Sequence, residues 1–399
     1  MNVIVLDVHH PEDGRVNRHI KYVQSLDYNV IHINVNRYFS FLKPGIFSKY
    51  GELGHQLQVG DYSSSLLNRM VVLFMLISPI MALRIYQIVR SELLGNDESI
   101  IIHVHDYELL ISAVFLRYLL PGRAMLVYDR HEYLEMLKGE HPILDLIPRF
   151  FEKVTKRWID GLVDISESHL ELIKELFPYS KAVVVPNYPD TSEVSPIGIE
   201  TKLQNIEDGK ISVVYFGSLD TTLDRDIPLT LDVMEMVLQA CPLSKAYVGG
   251  MTSDPELLSR FEQCEKRYPN RFKYLGFVSN NEVLKYTAEA TIGLFLLKPG
   301  NFVSGSSNKI YEYLNFGVIP IVKGNIENMD DILPEYSYVY HKDDMNQKVL
   351  SDLFLLISEK IRMTKLIHII FKKGNNFNFS TIRIEYSKLY SNLLNERGD

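Results

Sequence analysis

Residues 305–322 read Gly305-Ser306-Ser307-Asn308-Lys309-Ile310-Tyr311-Glu312-Tyr313-Leu314-Asn315-Phe316-Gly317-Val318-Ile319-Pro320-Ile321-Val322. Small residues lead into a helical period, Gly317 stops it, and an apolar run follows. Loop, helix and buried strand in that order form one repeat of an α/β chain. With Ser306 or Ser307 as N-cap, several backbone N–H groups at the helix start face outward, a natural seat for a diphosphate. Lys309 adds positive charge there, and Glu312, one turn in, can accept two hydroxyl protons from a ribose. The same pattern also describes a capped surface helix in which Glu312 only favours the helix dipole.

Outward from this segment the repeat continues in both directions. Short runs rich in Val and Ile predict strands near 3–8, 30–35, 100–104, 125–128, 162–165 and 182–185, then 211–216, 245–248, 272–275, 292–296 and 318–322. Helical periods fill the gaps, as in Arg15 to Leu26, where Val16, Ile20 and Val23 share one face and Arg15, Arg18 and Lys21 are left more exposed. Ser279-Asn280-Asn281-Glu282 spells a capping box. Residues 190–210 lose periodicity and predict a linker between an N-terminal domain (1–189) and a C-terminal one (211–375), with a closing helix in 376–399. The expected architecture is therefore α/β, two Rossmann-like doubly wound domains facing a central cleft, where such folds bind ligands.

Composition narrows the function classes. The 399 residues are 46% hydrophobic and 23% charged, within the range of globular proteins. A net charge of −8 gives no global attraction to nucleic acid. Cys241 and Cys264 form neither a disulfide framework nor a zinc spacing, so a cytoplasmic location is expected. The apolar stretch Met70 to Leu83 is broken by Pro79 and is too short to span a bilayer. Residues 65–94, with Arg69, Arg84 and Arg90, read as a core helix pair or as a peripheral lipid-docking surface.

Further clusters of polar residues fall at strand ends. Val213-Val214-Tyr215-Phe216-Gly217 ends where a glycine lets a ligand approach, and Arg225 offers a forked donor to phosphate. Asp224-Arg225-Asp226 imitates an Asp-x-Asp metal motif by chance. His103-Val104-His105-Asp106 and Tyr128-Asp129-Arg130-His131-Glu132 end two strands of the first domain, and Asp13-Gly14-Arg15 follows its first strand. Histidines so placed are core hydrogen-bonding groups, catalytic groups, or, with His9 and His10, ligands for zinc or manganese. No catalytic metal and no cofactor are expected, since the spacing is generic.

The 306–317 segment resembles the nucleotide-sugar signature of retaining glycosyltransferases of the GT-B fold, the large family-four group, in its variant Ser-x-Lys-x-x-Glu-Tyr-Leu-x-x-Gly. The resemblance extends over nearly the whole chain, including the His-x-His-Asp and Tyr-Asp-x-His-Glu segments. It implies a hexosyltransferase-type enzyme that moves a sugar from a nucleotide-diphosphate sugar to a carbohydrate or lipid-linked acceptor with retention, in cell-surface polysaccharide or glycolipid synthesis. It places Glu312 on the donor ribose, the diphosphate against Arg225, Lys309, Gly217, Ser306 and Ser307, and the base along Phe277 and Val278. His131 is the implied steering group in the first domain, with Gly14, Arg15, His105, Asp106 and Asp129 lining the sugar. Many family members carry a second Glu eight residues before Glu312; here Ser304 stands there. That departure keeps two alternatives open, a sugar-nucleotide epimerase of the same fold and a non-catalytic nucleotide-sugar-binding module.

Overall fold

The computed structural model describes the chain except residues 10–12, 37–44, 50–51, 59–77, 94–98, 123, 132–141, 193–198, 222–223, 300–301, 304–306, 327–328, 334–337, 342–344 and 396–399. The chain divides into two compact units. Unit 1 comprises 1–186 and 382–399, and unit 2 comprises 187–381.

Unit 1 is built on an eight-stranded sheet: β1 (Asn2–Asp7), β2 (Asn29–Asn36), β3 (Gly45–Lys49), β4 (Glu52–Gln58), β5 (Ile100–His105), β6 (Met125–Asp129), β7 (Gly161–Asp164) and β8 (Lys181–Val184). Their order is β3-β4-β2-β1-β5-β6-β7-β8, parallel except for β3 at one edge. Val3, Ile4, Val5 and Leu6 of β1 have no exposed surface, as a central parallel strand covered on both faces requires. From β1 the chain runs outward to β2, then returns to β5 on the other side, so the order reverses between β1 and β5. β3 and β4 come from a stretch, 38–62, in which the sequence shows no code beyond a loop.

Unit 2 repeats the plan with β9 (Ser212–Phe216), β10 (Lys245–Gly249), β11 (Phe272–Tyr274), β12 (Ile292–Leu296), β13 (Phe302–Val303), β14 (Ile319–Lys323), β15 (Asn325–Ile326) and β16 (Val339–Tyr340). Six strands form one parallel sheet, β11-β10-β9-β12-β14-β16, reversing between β9 and β12; β13 and β15 pair separately. The capping box at Ser279 and Glu282 is formed in both directions. The last helix, Ile384–Asn395, belongs to unit 1 and packs on β8, with Tyr386, Leu389 and Tyr390 fully buried. No helix among the described residues is long and apolar enough to cross a membrane.

The expected linker needs correction. Residues Ile199–Glu207 form a helix whose Lys202 and Ile206 are buried against unit 2. Polar spacing hides its inner face, because one of the buried positions is a lysine. Lys202 Nζ donates to the Phe316 carbonyl at 2.6 Å, and burial pushes its pKa down to about 7. Between that value and the unfolded 10.5 the unfolded chain binds the proton more tightly. This side chain's contribution to stability therefore rises with pH across that window, by up to about 1.4 kcal/mol per pH unit. Urea titrations from neutral to alkaline pH should show Lys202→Met gaining on wild type at the neutral end and losing that advantage as pH rises; a pH-independent difference contradicts the assignment.

Candidate active site

Two polar clusters stand at the carboxyl ends of the two sheets, each at its order reversal. In unit 2 the floor is aromatic. Tyr215 near the end of β9 donates its hydroxyl to the Ser218 carbonyl at 2.7 Å, directly below Gly217. Arg225, in the connection after β9, bonds to that hydroxyl, lies 4.4 Å over the Phe295 ring of β12 and pairs with Asp224. Its guanidinium is about one-fifth exposed, so it is braced on one side and open on the other. Lys298, two residues past β12, donates to the Thr221 carbonyl and so closes the β9 and β12 connections onto each other.

The helix Asn308–Asn315 rises from the same edge with Ser307 as N-cap; the Ser307 side chain makes no capping bond. Tyr313 anchors the helix to β12, donating to the Leu294 carbonyl at 3.0 Å. A Cβ on Gly293 would sit 2.5 Å from that ring, so close helix–strand packing demands glycine there. Glu312 is 93% buried at the side chain and pairs with Lys309 at 3.3 Å, one turn apart. Burial and the negative charge of Glu312 hold the Tyr313 hydroxyl well above its ordinary pKa, while Arg225 acts the other way. One buried ring thus feels both ends of the cluster. Beyond β11, Phe277 is exposed at 56%, and Val278 is half-buried against the end of β10. Gly250, after β10, has φ +151°, and a Cβ there would lie 2.1 Å from the Gly217 carbonyl oxygen, which fixes the backbone at this edge. Ser306 and Ser304 lie outside the described residues.

The sequence singled out Arg225, Lys309 and Glu312 but passed over Lys298, although it follows an apolar strand in the same way. Asp226, half of the apparent Asp-x-Asp, caps the helix Ile227–Ala240 through the Leu229 N–H and pairs with buried Lys323 at 2.8 Å. Its carboxylate is engaged in structure.

In unit 1, three residues that read as lining a sugar are core groups instead. Arg15, His105 and Asp129 are 5%, 0% and 0% exposed. Arg15 reaches back from the first turn of the helix Gly14–Gln24 to Asp129 Oδ1 (Nη2 at 2.7 Å) and to the Val185 carbonyl (Nη1 at 2.7 Å). Asp129 also accepts from the Tyr386 hydroxyl at 3.0 Å. His131 Nε2 meets His105 Nδ1 at 2.8 Å, His105 Nε2 meets His19 Nδ1 at 3.0 Å, and His19 Nε2 meets the Tyr390 hydroxyl at 2.8 Å. That hydroxyl also meets His103 Nδ1 at 2.9 Å. The closing helix seals this face, so Arg15, His105 and Asp129 hold the edge together from below. Gly14 opens the helix after Asp13, whose carboxylate caps it through the Arg15 and Val16 N–H groups.

What stays partly open is His9, Asp106 and His131, with side chains 21%, 14% and 9% exposed. Asp106 adopts φ +64°, a conformation costly for a non-glycine residue and concentrated at functional sites. Its carboxylate pairs with His9 Nε2 at 2.9 Å and accepts from the His131 N–H at 3.2 Å. The His9 and His131 rings stack 4.7 Å apart. Burial opposes charge on His9, but the Asp106 bond and charge raise its pKa to about 10. These three offer ligand atoms within 4.8 Å of one another and are, among the described residues, the most accessible group that could hold a divalent ion, in competition with the His9–Asp106 pair. His10 and Glu132 lie outside the described residues.

Burial keeps His19, His103, His105 and His131 below the ordinary histidine pKa, despite the pull of Asp129. Their stabilising contribution is complete above the unfolded value of 6.5 and is lost as pH falls below it, by up to about 1.4 kcal/mol per pH unit for each. Thermal melts between pH 7 and pH 5, about one to two units around that value, should show a steady loss of stability that His19→Gln makes shallower. A flat profile in wild type contradicts neutral burial of this chain of imidazoles.

No family model matches the sequence, and no curated protein matches it in sequence. Solved structures do match over the whole chain. Sucrose-phosphate synthase from Thermosynechococcus elongatus superposes with a TM-score of 0.72 at 13% identity, covering 99% of this chain and 100% of its own. HepE from Anabaena, in complex with UDP and glucose, gives 0.67 at 14% identity over 98% and 100%. The catalytic domain of starch synthase IV from Arabidopsis thaliana, bound to ADP and acarbose, gives 0.66 at 11% identity over 99% and 99%. The chain therefore has the GT-B fold of two Rossmann-like domains that these glycosyltransferases share.

Proposed function

We propose that the protein transfers a sugar from a nucleoside-diphosphate sugar to an acceptor hydroxyl with retention at the anomeric carbon. The carrying observation is the convergence, at the β9/β12 reversal of unit 2, of an open helix N-terminus, Arg225, Lys309 and a buried Glu312. Open α/β sheets bind ligands at such reversals. In this reading the diphosphate lies against Arg225, Lys309 and the amides at Ser307, beside Gly217. Glu312 holds the ribose, and the base lies along Phe277 and Val278. That HepE and starch synthase IV, which share the fold, hold UDP and ADP supports a nucleotide as ligand.

As the glycosidic bond breaks, negative charge grows on the departing diphosphate, and donors fixed in advance stabilise it most in the transition state. Arg225 is suited to this because Phe295 and Tyr215 hold it from one side, with the Asp224 pair the contact that a diphosphate would replace. His131, neutral and tied through Nε2 to His105, is the group assigned to steer the acceptor hydroxyl, with Asp106 beside it. Ser304 in place of a second carboxylate points to a sugar read without that contact. We place the reaction in cell-surface polysaccharide or glycolipid synthesis on the cytoplasmic side, with no metal or cofactor required. The peripheral contact expected of residues 65–94 reduces, among the described residues, to Ile80 and Leu83, both exposed on the helix Pro79–Val89.

Calorimetric titration with uridine, guanosine and adenosine diphosphates identifies the base. Glu312→Gln should weaken diphosphate binding by about 1–2 kcal/mol. Arg225→Ala should lower kcat by about a hundredfold or more, a larger effect than on binding. His131→Ala should bind nucleotide as wild type does yet transfer poorly, and a chelator should leave turnover unchanged. Full turnover by Glu312→Ala defeats the ribose assignment, and an inverted anomeric proton signal in the product defeats retention.

A further inference from the structure

The helix Pro142–Thr155 in unit 1 is apolar on two sides. Inward, Pro148, Phe151 and Thr155 are buried, and Glu152 is buried against Arg130 at 2.9 Å and Tyr128 at 3.1 Å. Outward, Leu146, Phe150 and Val154 are 60%, 58% and 37% exposed, and their spacing of four makes one stripe. Arg149, Lys153, Lys156 and Arg157 are exposed along it. Between Leu146 and Arg157 the single carboxylate is the buried Glu152, so this segment contributes four exposed cations and no exposed anion to the stripe. That is a local excess of positive charge on a chain of net charge −8.

The surface continues onto the adjoining helix Leu110–Leu119, where Phe115 and Tyr118 are 42% and 69% exposed. Trp158 donates its indole N–H to the Tyr118 hydroxyl at 2.7 Å, and Arg157 stacks 4.0 Å over the Trp158 ring. An apolar stripe, a basic border and a Tyr–Trp pair at its end are three features with one common partner. Acyl chains take the first, phosphate headgroups the second, and the zone between them the third. A second copy fits less well, because a two-fold pairing of this face would set its cations against themselves.

We propose that this face of unit 1 docks on an anionic lipid bilayer, with Leu146, Phe150 and Val154 entering the acyl boundary and the four cations at the headgroups. This goes beyond sugar transfer. Its test needs neither nucleotide nor acceptor, so either reading can fail alone. Full-length protein is floated with vesicles of phosphatidylcholine alone and of phosphatidylcholine with an equal part of phosphatidylglycerol, at low and high salt. Trp158, the single tryptophan, reports from within the contact.

The expected result is flotation with the anionic vesicles only, weakened by salt, with a blue shift of tryptophan emission. Arg149→Glu with Lys153→Glu should weaken anionic-vesicle binding by more than about tenfold, given about 1 kcal/mol for each cation near the surface. Leu146→Ser with Phe150→Ser, both exposed and so neutral to folding, should abolish the blue shift. Three results overturn the proposal: no flotation with either vesicle, flotation that neither double variant changes, or a lipid-independent dimer that Phe150→Ser dissolves.

Discussion

In unit 2 the chain leaves β9 toward β10 on one side and later returns to β12 on the other, while β9 and β12 remain hydrogen-bonded neighbours. Every polar group of the proposed donor seat depends on that constraint. Because the two connections diverge, the carboxyl ends of these strands are where backbone amides and side chains from separate loops meet. Tyr215 and Phe295 supply a rigid floor from the strands themselves. Tyr313 pins the helix bearing Lys309 and Glu312 to β12, at a distance that only the glycine at 293 permits. Aromatic packing on the sheet thus braces Arg225 and the helix that bears Lys309 and Glu312.

Unit 1 uses the same topology with a different balance. At the β1/β5 reversal the groups are histidines and carboxylates, and most of them are taken up internally. Asp129 is the pivot: buried, it gathers Arg15 and Tyr386, and with His103 it closes a network reaching through Tyr390 and His19 to His105 and His131. Removing a carboxylate of this kind leaves a buried guanidinium uncompensated, which is why such a pair persists as a unit. The network delivers to the surface a neutral His131 in a fixed orientation, next to a backbone-strained Asp106. Rigidity in the interior positions a small open set of His9, Asp106 and His131.

Much of this was legible in the sequence because parallel strands announce themselves as apolar runs. All eleven expected strands are present, and the Ser279–Glu282 box stands as its spacing predicts. Burial of polar residues was harder to read. His105 ends β5 and His131 lies two residues past the end of β6, yet both read alike in strand-end motifs, and one is sealed while the other is partly open. The difference comes from Tyr390 acting through His19, a contact between residues 371 apart in the chain. Arg15 looked outward for the same reason, since its partners Asp129 and Val185 are 114 and 170 residues away. Lys202 concealed a packed helix because a lysine satisfied by a helix-end carbonyl carries no apolar mark. In the helix Pro142–Thr155 the reverse holds: its apolar face is wider than the core it covers, so Phe151 is buried while Leu146, Phe150 and Val154 stay exposed.

The central claim is that a pyrophosphate sits on the carboxyl edge of β9 and β12. Hydrogen–deuterium exchange of the full chain, with and without saturating nucleoside diphosphate, reads that edge directly. Protection should concentrate in peptides spanning Gly217 to Arg225 and Ser307 to Glu312, with little change on the opposite, amino-terminal edge of the same sheet. Binding accompanied by no protection of these two segments, or by protection centred elsewhere, contradicts the account.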